Sequence, residues 1–491
     1  MANSLRTGKR QPIELNFLTN VGVFLFFLSM ALMIGRFSLA SPLKGDDLHL
    51  VRTYSSAEMA EVWRNTWDPD KIETPGFRPL TIYFYHAQAI LFGSSVISNR
   101  VFLLGLYALL LTVVGIASRN LLQTSYTVIL LGGMLSIFHT TNISHYAWIT
   151  DGIYLISGLL IVGALYCSVK FIHTGNAKWL LVSLLQVVQA LLIREDSLIV
   201  YPLLILFIIT AFFQSQKQPK ELLTRIPHLV LFACTLVVIF LGWFYYRSAV
   251  VPQATPLGIN FKGFVWSLLQ TVQILGDSTR LVVWQTNILL LGSAWLICLG
   301  FMATASLLLL DRKTLTHSAV WIAAMTFAAF PGLTLARNNL LLLSTIFFGF
   351  YVATTLVAIS KKSATGYICA VVIAFFALSA SAYGSSLIQR EQTTSNLDYI
   401  CNSAEWVFGK FAHATIPGAR RATTLNQLSQ HNIHSMNDLN IEFPQLVEQA
   451  KHNDRYGPSS DGALFIPQFR FIISPDWRPW SCVGRQGWLF R

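Results

Sequence analysis

Charge is what this sequence has least of. Lys, Arg, Asp and Glu make up 12% of its 491 residues, about half the share usual in a soluble globular chain. Acid is scarcest: Asp and Glu number 23 in all, and only fourteen of them fall before residue 385. The sequence also has no Walker phosphate loop, zinc-ligand spacing, Gly-x-Ser-x-Gly elbow or internal repeat. These absences argue against P-loop nucleotide chemistry, a structural zinc module, a serine hydrolase of that type and a solenoid. Cysteine is sparse at six. Cys167, Cys234, Cys298 and Cys369 fall in apolar runs and read as small packing residues. Cys401 and Cys482 fall in the polar tail, where one disulfide is open to them if that tail is extracytoplasmic.

Apolar sequence takes the place of charge. Hydrophobic residues reach 54% and the mean hydropathy is +0.53. Runs of about 18 residues or more recur along the first four-fifths of the chain, each long enough to cross a bilayer as a helix. The fold class expected is an all-α polytopic membrane protein of about 11 transmembrane helices. The first run, Leu15 to Phe37, is too long for a signal-peptide core and follows Arg6, Lys9 and Arg10. It reads as an uncleaved helix with a cytoplasmic N-terminus. An odd number of spans then puts the C-terminal tail outside. The expected organisation is a membrane module over 1–384, with a first outer loop at about 38–97, and a small extracytoplasmic domain over 385–491. Amphipathic helices are expected at Thr81 to Phe92 and near Phe264 to Leu275. The net charge of +12 is dispersed among membrane loops. That suits membrane lipids or a phosphate-bearing substrate as partners, and not nucleic acid.

Half of the acid in the membrane module is concentrated in one place. Asp46, Asp47, Glu58, Glu61, Asp68, Asp70 and Glu73 all lie in the loop after the first run. The adjacent pair Asp46 and Asp47 can supply a general base together with a metal ligand or second anchor, or can simply solvate a helix end. Other polar groups stand at span ends expected on the same side: Arg78, His139, Asn142, His145, Asp151, Arg194, Glu195 and Arg337. Each has a plain structural reading, such as a snorkelling arginine, interfacial histidines, or an Arg194–Glu195 ion pair. Together they describe a polar outer cavity with a carboxylate base and several cationic groups.

Three blocks carry a resemblance to a known family. They are Gly45-Asp46-Asp47 after the first span, Phe77-Arg78-Pro79-Leu80 with the Ala-Ile-Leu-Phe-Gly that ends at Gly93, and the stretch from Phe138 through His145-Tyr146-Ala147-Trp148 to Asp151. The third is echoed by Leu192-Ile193-Arg194-Glu195-Asp196. In order and spacing they resemble the GT-C glycosyltransferases, membrane enzymes that take a sugar from a polyprenyl-phosphate carrier. The branch with the protein O-mannosyltransferases and their tetratricopeptide-bearing relatives is the most similar in pattern. The likeness covers roughly residues 1–215. No proline follows His139, Arg194 stands where relatives often carry lysine, and no tetratricopeptide array follows.

What the resemblance implies is an inverting transferase that moves a sugar from a polyprenyl-phosphate-sugar donor to a hydroxyl on a glycan, lipid or protein. Asp46 takes the place of the catalytic base. Asp47 either holds a divalent cation, Mg or Mn, or orients a sugar hydroxyl. Arg78, Arg194 and Arg337 are candidates for the donor phosphate, with His139 or His145 assisting, and Glu195, Asn142 and Asp151 for the acceptor or the sugar. The implied location is a bacterial inner membrane with the site facing outward. Two other classes stay open. A transporter or flippase of a lipid-linked or anionic solute would place charge mid-span or in paired broken helices. A lipid-linked glycan polymerase or ligase would not need the early Asp pair.

Overall fold

The computed structural model describes residues 17–36, 39, 50–69, 76–93, 95–139, 142, 145, 149–214, 224–252, 261–272, 311–333 and 338–361. Their regular structure is helical, with no strand among the described residues. In chain order they form α1 (Phe17–Gly35), α2 (Ser56–Glu61), α3 (Pro79–Phe92), α4 (Val96–Leu122), α5 (Tyr126–Ile137), α6 (Gly152–Thr174), α7 (Lys178–Ile193) and α8 (Val200–Gln214). There follow α9 (Ile226–Val250), α10 (Phe261–Thr271), α11 (Arg312–Ala328) and α12 (Leu342–Ser360). Six helical stretches among the described residues are long and apolar enough to cross a membrane: Phe17–Gly35, Ile97–Leu122, Ile149–Thr174, Glu195–Gln214, Ile226–Val250 and Leu342–Ser360. Two shorter apolar helices, Tyr126–Ile137 and Lys178–Ile193, lie between them. The chain is therefore an integral membrane protein of helical architecture. The eighth and the last of the eleven expected spans and the domain over 385–491 lie outside the described residues.

Polar punctuation sets the helix ends. Ser55 opens α2 with a capping box, its hydroxyl accepting from Glu58 N–H while the Glu58 carboxylate accepts from Ser55 N–H. Ser95 and Ser125 cap α4 and α5 in the same sense, accepting from Ser98 and Val128. Gly175 closes α6 at φ 76°, a left-handed conformation that only glycine adopts without strain. Arg225, just before α9, donates to the last carbonyls of α6, those of Phe171 and Ile172.

Between apolar helices in lipid, close contact and hydrogen bonds replace the hydrophobic effect as glue. α5 sits against both α1 and α12 because Gly132 and Gly133 leave it room. A Cβ on Gly133 would overlap the Phe27 ring, and one on Gly132 would come within 3.0 Å of Phe350. α6 and α7 form an antiparallel hairpin joined by Ser168 Oγ and Ser183 Oγ at 3.0 Å. Trp321 of α11 packs between Phe347 and Phe350 of α12. By contrast α1 and α9 are each only 17% buried over their apolar windows and present most of their surface outward.

Following the chain up and down, one end of the bundle collects the C-termini of α1, α5, α7 and α9 and the N-termini of α4, α6, α8 and α12. Residues 50–69 and 76–93 cover that end. Leu50, Tyr54, Val62 and Trp67 pack with Ile82 and Tyr85 of α3, Ile153 of α6 and Ile193 of α7. Hydrogen bonds fix the cover. Tyr54 N–H donates to His86 Nδ1 at 2.9 Å, Thr81 Oγ1 to the Ile193 carbonyl at 2.7 Å, and Tyr246 Oη to the Trp63 carbonyl at 2.8 Å.

Candidate functional site

Five of the expected polar groups, Arg78, His145, Asp151, Arg194 and Glu195, lie beneath this cover. Arg78 stands at the start of α3, where Pro79 fixes the first turn. Its guanidinium lies 5.5 Å over the Trp67 ring, and its Nε is buried without a hydrogen-bond partner. Arg194 ends α7 in an extended conformation, φ −150° and ψ 132°, which turns its side chain back towards α6. There the guanidinium stacks 3.4 Å over Tyr154, and Nε donates to Asp196 at 2.7 Å. Its two Nη groups have no hydrogen-bond partner among the described residues. Burial and then the charge of Arg194 push Arg78 below the ordinary guanidinium value, with Glu195 and Asp196 opposing. At Arg194 burial also acts downward, but Asp196 and Tyr154 outweigh it and raise the value. Two guanidiniums repelling each other, with donor capacity unused, leave charge-assisted hydrogen-bond donors without an acceptor among the described residues.

Glu195 is held from two sides. Its Oε1 accepts from Phe77 N–H at 2.6 Å and from Arg247 Nε at 3.0 Å, while Oε2 accepts from Arg247 Nη2 at 3.2 Å. Arg247 belongs to the last turn of α9. The Arg194–Glu195 ion pair, the plain structural reading of these residues, does not form; the pairs are Arg194–Asp196 and Arg247–Glu195. Backbone direction causes the exchange, because the turn of helix over Glu195–Ile199 points adjacent side chains to different sides.

His145 and Asp151 are buried together, with Nδ1 3.2 Å from Oδ2, yet both atoms lack a formed hydrogen bond. The His145 ring is 5.6 Å from Tyr154, so the pair adjoins the Arg194 platform. His139 sits apart from it, its Nε2 3.1 Å from the Thr271 carbonyl of α10. Burial pushes its pKa down to about 4, against the partly compensating bond to Thr271. The ring is therefore neutral at physiological pH and supplies a hydrogen bond, not a cation. Between its ordinary value near 6.5 and about 4, the unfolded chain binds the proton and the folded one does not. Its contribution to stability is thus full above about pH 6.5 and falls as pH drops towards 4. His139→Gln should flatten that part of the pH–Tm curve in detergent, and an unchanged slope would refute the assignment.

Asn142 is occupied with packing. Its amide donates to Tyr107 Oη at 3.1 Å and to the Ser136 carbonyl at 2.9 Å, and accepts from Thr345 Oγ1 at 2.8 Å. It joins α4, α5 and α12. Asp46, Asp47 and Arg337 lie outside the described residues. No group of three His, Cys, Asp or Glu side chains able to hold a metal occurs among the described residues. Arg247, Asp196, Tyr154 and Trp67 join the cluster without having been expected there.

No family model matches the chain, and no curated protein does. Among solved structures, the chain is similar to ArnT from Cupriavidus metallidurans bound to undecaprenyl phosphate, with 14% identity and a TM-score of 0.40 over 95% of this chain and 79% of that one. The same protein in the apo state gives 15% identity and a TM-score of 0.42 over 89% and 75%.

Proposed function

We propose that the chain is an inverting GT-C type glycosyltransferase that uses a polyprenyl-phosphate-linked sugar as donor, with its site on the extracytoplasmic side. The observation that supports this most is that Arg78 lies within electrostatic reach of Arg194 and beside Glu195 under the cover, both arginines having donor capacity unused. Their side chains suit the bridging phosphate of such a donor. In the reaction an acceptor hydroxyl attacks the anomeric carbon from the face opposite the phosphate. The new C–O bond forms as the bond to phosphate oxygen breaks, and the bonding electrons leave with the phosphate. The hydroxyl proton passes to a carboxylate, assigned to Asp46 by the resemblance, as attack proceeds. Paired guanidiniums in a poorly hydrated site stabilise the charge that grows on the leaving group.

The test uses the purified protein in nanodiscs, with polyprenyl-phosphate donors carrying different labelled sugars and a membrane extract as acceptor. Release of free polyprenyl phosphate together with transfer of label is the expected result. Translocation of intact donor across a proteoliposome membrane without cleavage would overturn the reading in favour of a flippase.

A further inference from the structure

Arg247 lies at the end of α9, one of the two membrane helices least embedded among the described residues, yet it is 6% exposed and grips Glu195 with two nitrogens. Glu195 in turn holds the amide of Phe77, the residue directly before Arg78. The three groups crowd one point: a Cβ on Gly76 would lie 3.3 Å from Arg78 Nε, 3.3 Å from Glu195 Oε1 and 3.4 Å from Trp67. Phe77 also packs edge-on against Tyr246, the neighbour of Arg247, with ring centroids 5.2 Å apart. α9 is thus fastened to the Arg78 loop by a charge clamp and by an aromatic contact beside it.

The clamp has an electrostatic consequence. Glu195 is close enough to Arg78 to raise the pKa of its guanidinium, and a carboxylate with nothing else to bind would pair with it. A guanidinium paired in that way has less to offer an incoming phosphate. Arg247 engages both Glu195 oxygens, so the carboxylate orients the Arg78 backbone without neutralising the Arg78 side chain. We infer that Arg247 is a positioning residue that keeps Arg78 available to an oxyanion by occupying Glu195, and so makes the readiness of the phosphate site depend on where the end of α9 sits. This rests on the phosphate reading of Arg78 given above.

Binding of undecaprenyl phosphate to the detergent-solubilised full-length protein, followed by native mass spectrometry, tests it. Arg247→Gln should weaken binding about tenfold, within the range of coupling between contacting groups. Glu195→Gln added to Arg247→Gln should restore most of that loss, because the amide still accepts from Phe77 N–H but no longer competes for Arg78. On an Arg78→Ala background, Arg247→Gln should have no further effect. A purely structural role predicts the reverse, a double variant weaker than either single one, and that result overturns the inference. So does an Arg247→Gln protein that binds normally while Arg78→Ala binds weakly. If Arg78→Ala itself binds normally, the phosphate reading fails first and takes the inference with it.

Discussion

Arg194→Ala is expected to weaken binding of the polyprenyl-phosphate donor by a factor of thirty or more, the fold-change of about 2 kcal/mol, which is the lower range for truncating one member of a buried charged contact. Three roles meet in this side chain. On the proposed reading its Nη groups are the donors for phosphate; its plane stacks on Tyr154, and its Nε holds Asp196. Removing it leaves Asp196 without its partner next to Arg78, so the remaining guanidinium would turn towards that carboxylate. The loss therefore exceeds that of one hydrogen bond. Lysine should recover only a small part, since an ammonium lacks the planar fork and stacks poorly. The measurement is donor affinity of the purified variant against Tm. Wild-type affinity at unchanged Tm would take Arg194 out of the site.

Asp46→Asn should lower turnover by about a hundredfold or more while leaving undecaprenyl phosphate binding near normal. The substitution keeps size and hydrogen-bonding reach but removes the proton acceptor. Asp46 lies outside the described residues, and its assignment comes from the family pattern. Its tether is short: four peptide steps, a reach of about 14 Å, separate it from Leu50. Leu50 is buried with Trp67, which lies under Arg78, and with Ile193, which precedes Arg194. A single-turnover assay with preformed enzyme–donor complex separates chemistry from binding. Near-normal turnover by Asp46→Asn with a large loss in Asp47→Asn would move the base by one residue.

Much of the helical framework is legible as apolar runs, because a backbone in lipid has few options besides the helix. Ends are less legible. The second span reads as Arg100 to Ile116, yet α4 extends from Val96 to Leu122. Ser95 caps it a turn earlier, and Arg119 continues the helix by lying 4.2 Å over Tyr126. The seventh span likewise reads as about Leu229 to Tyr246, with Arg247 opening an outer loop. A charge after an apolar run looks like the start of a loop, but α9 continues to Val250 and buries the guanidinium. A Tyr-Tyr-Arg close to such a helix end was the available signal. Arg78 and Arg194 stood out because charge beside apolar runs is rare. Tyr154 and Trp67 did not, since aromatics at helical spacing read as core. Asn142 marks the opposite case, a polar residue at a span end whose bonds go into packing of α4, α5 and α12.

α9 is 25 residues long, about 37 Å at helical rise, against a hydrocarbon layer of about 30 Å. A helix longer than the hydrocarbon layer accommodates the excess by tilting, kinking or locally thickening the bilayer, and each response depends on bilayer thickness. Because its far end carries Arg247, the proposed phosphate site would take the acyl-chain length of the host lipid as an input. The membrane would then act on this protein as an effector as well as a solvent.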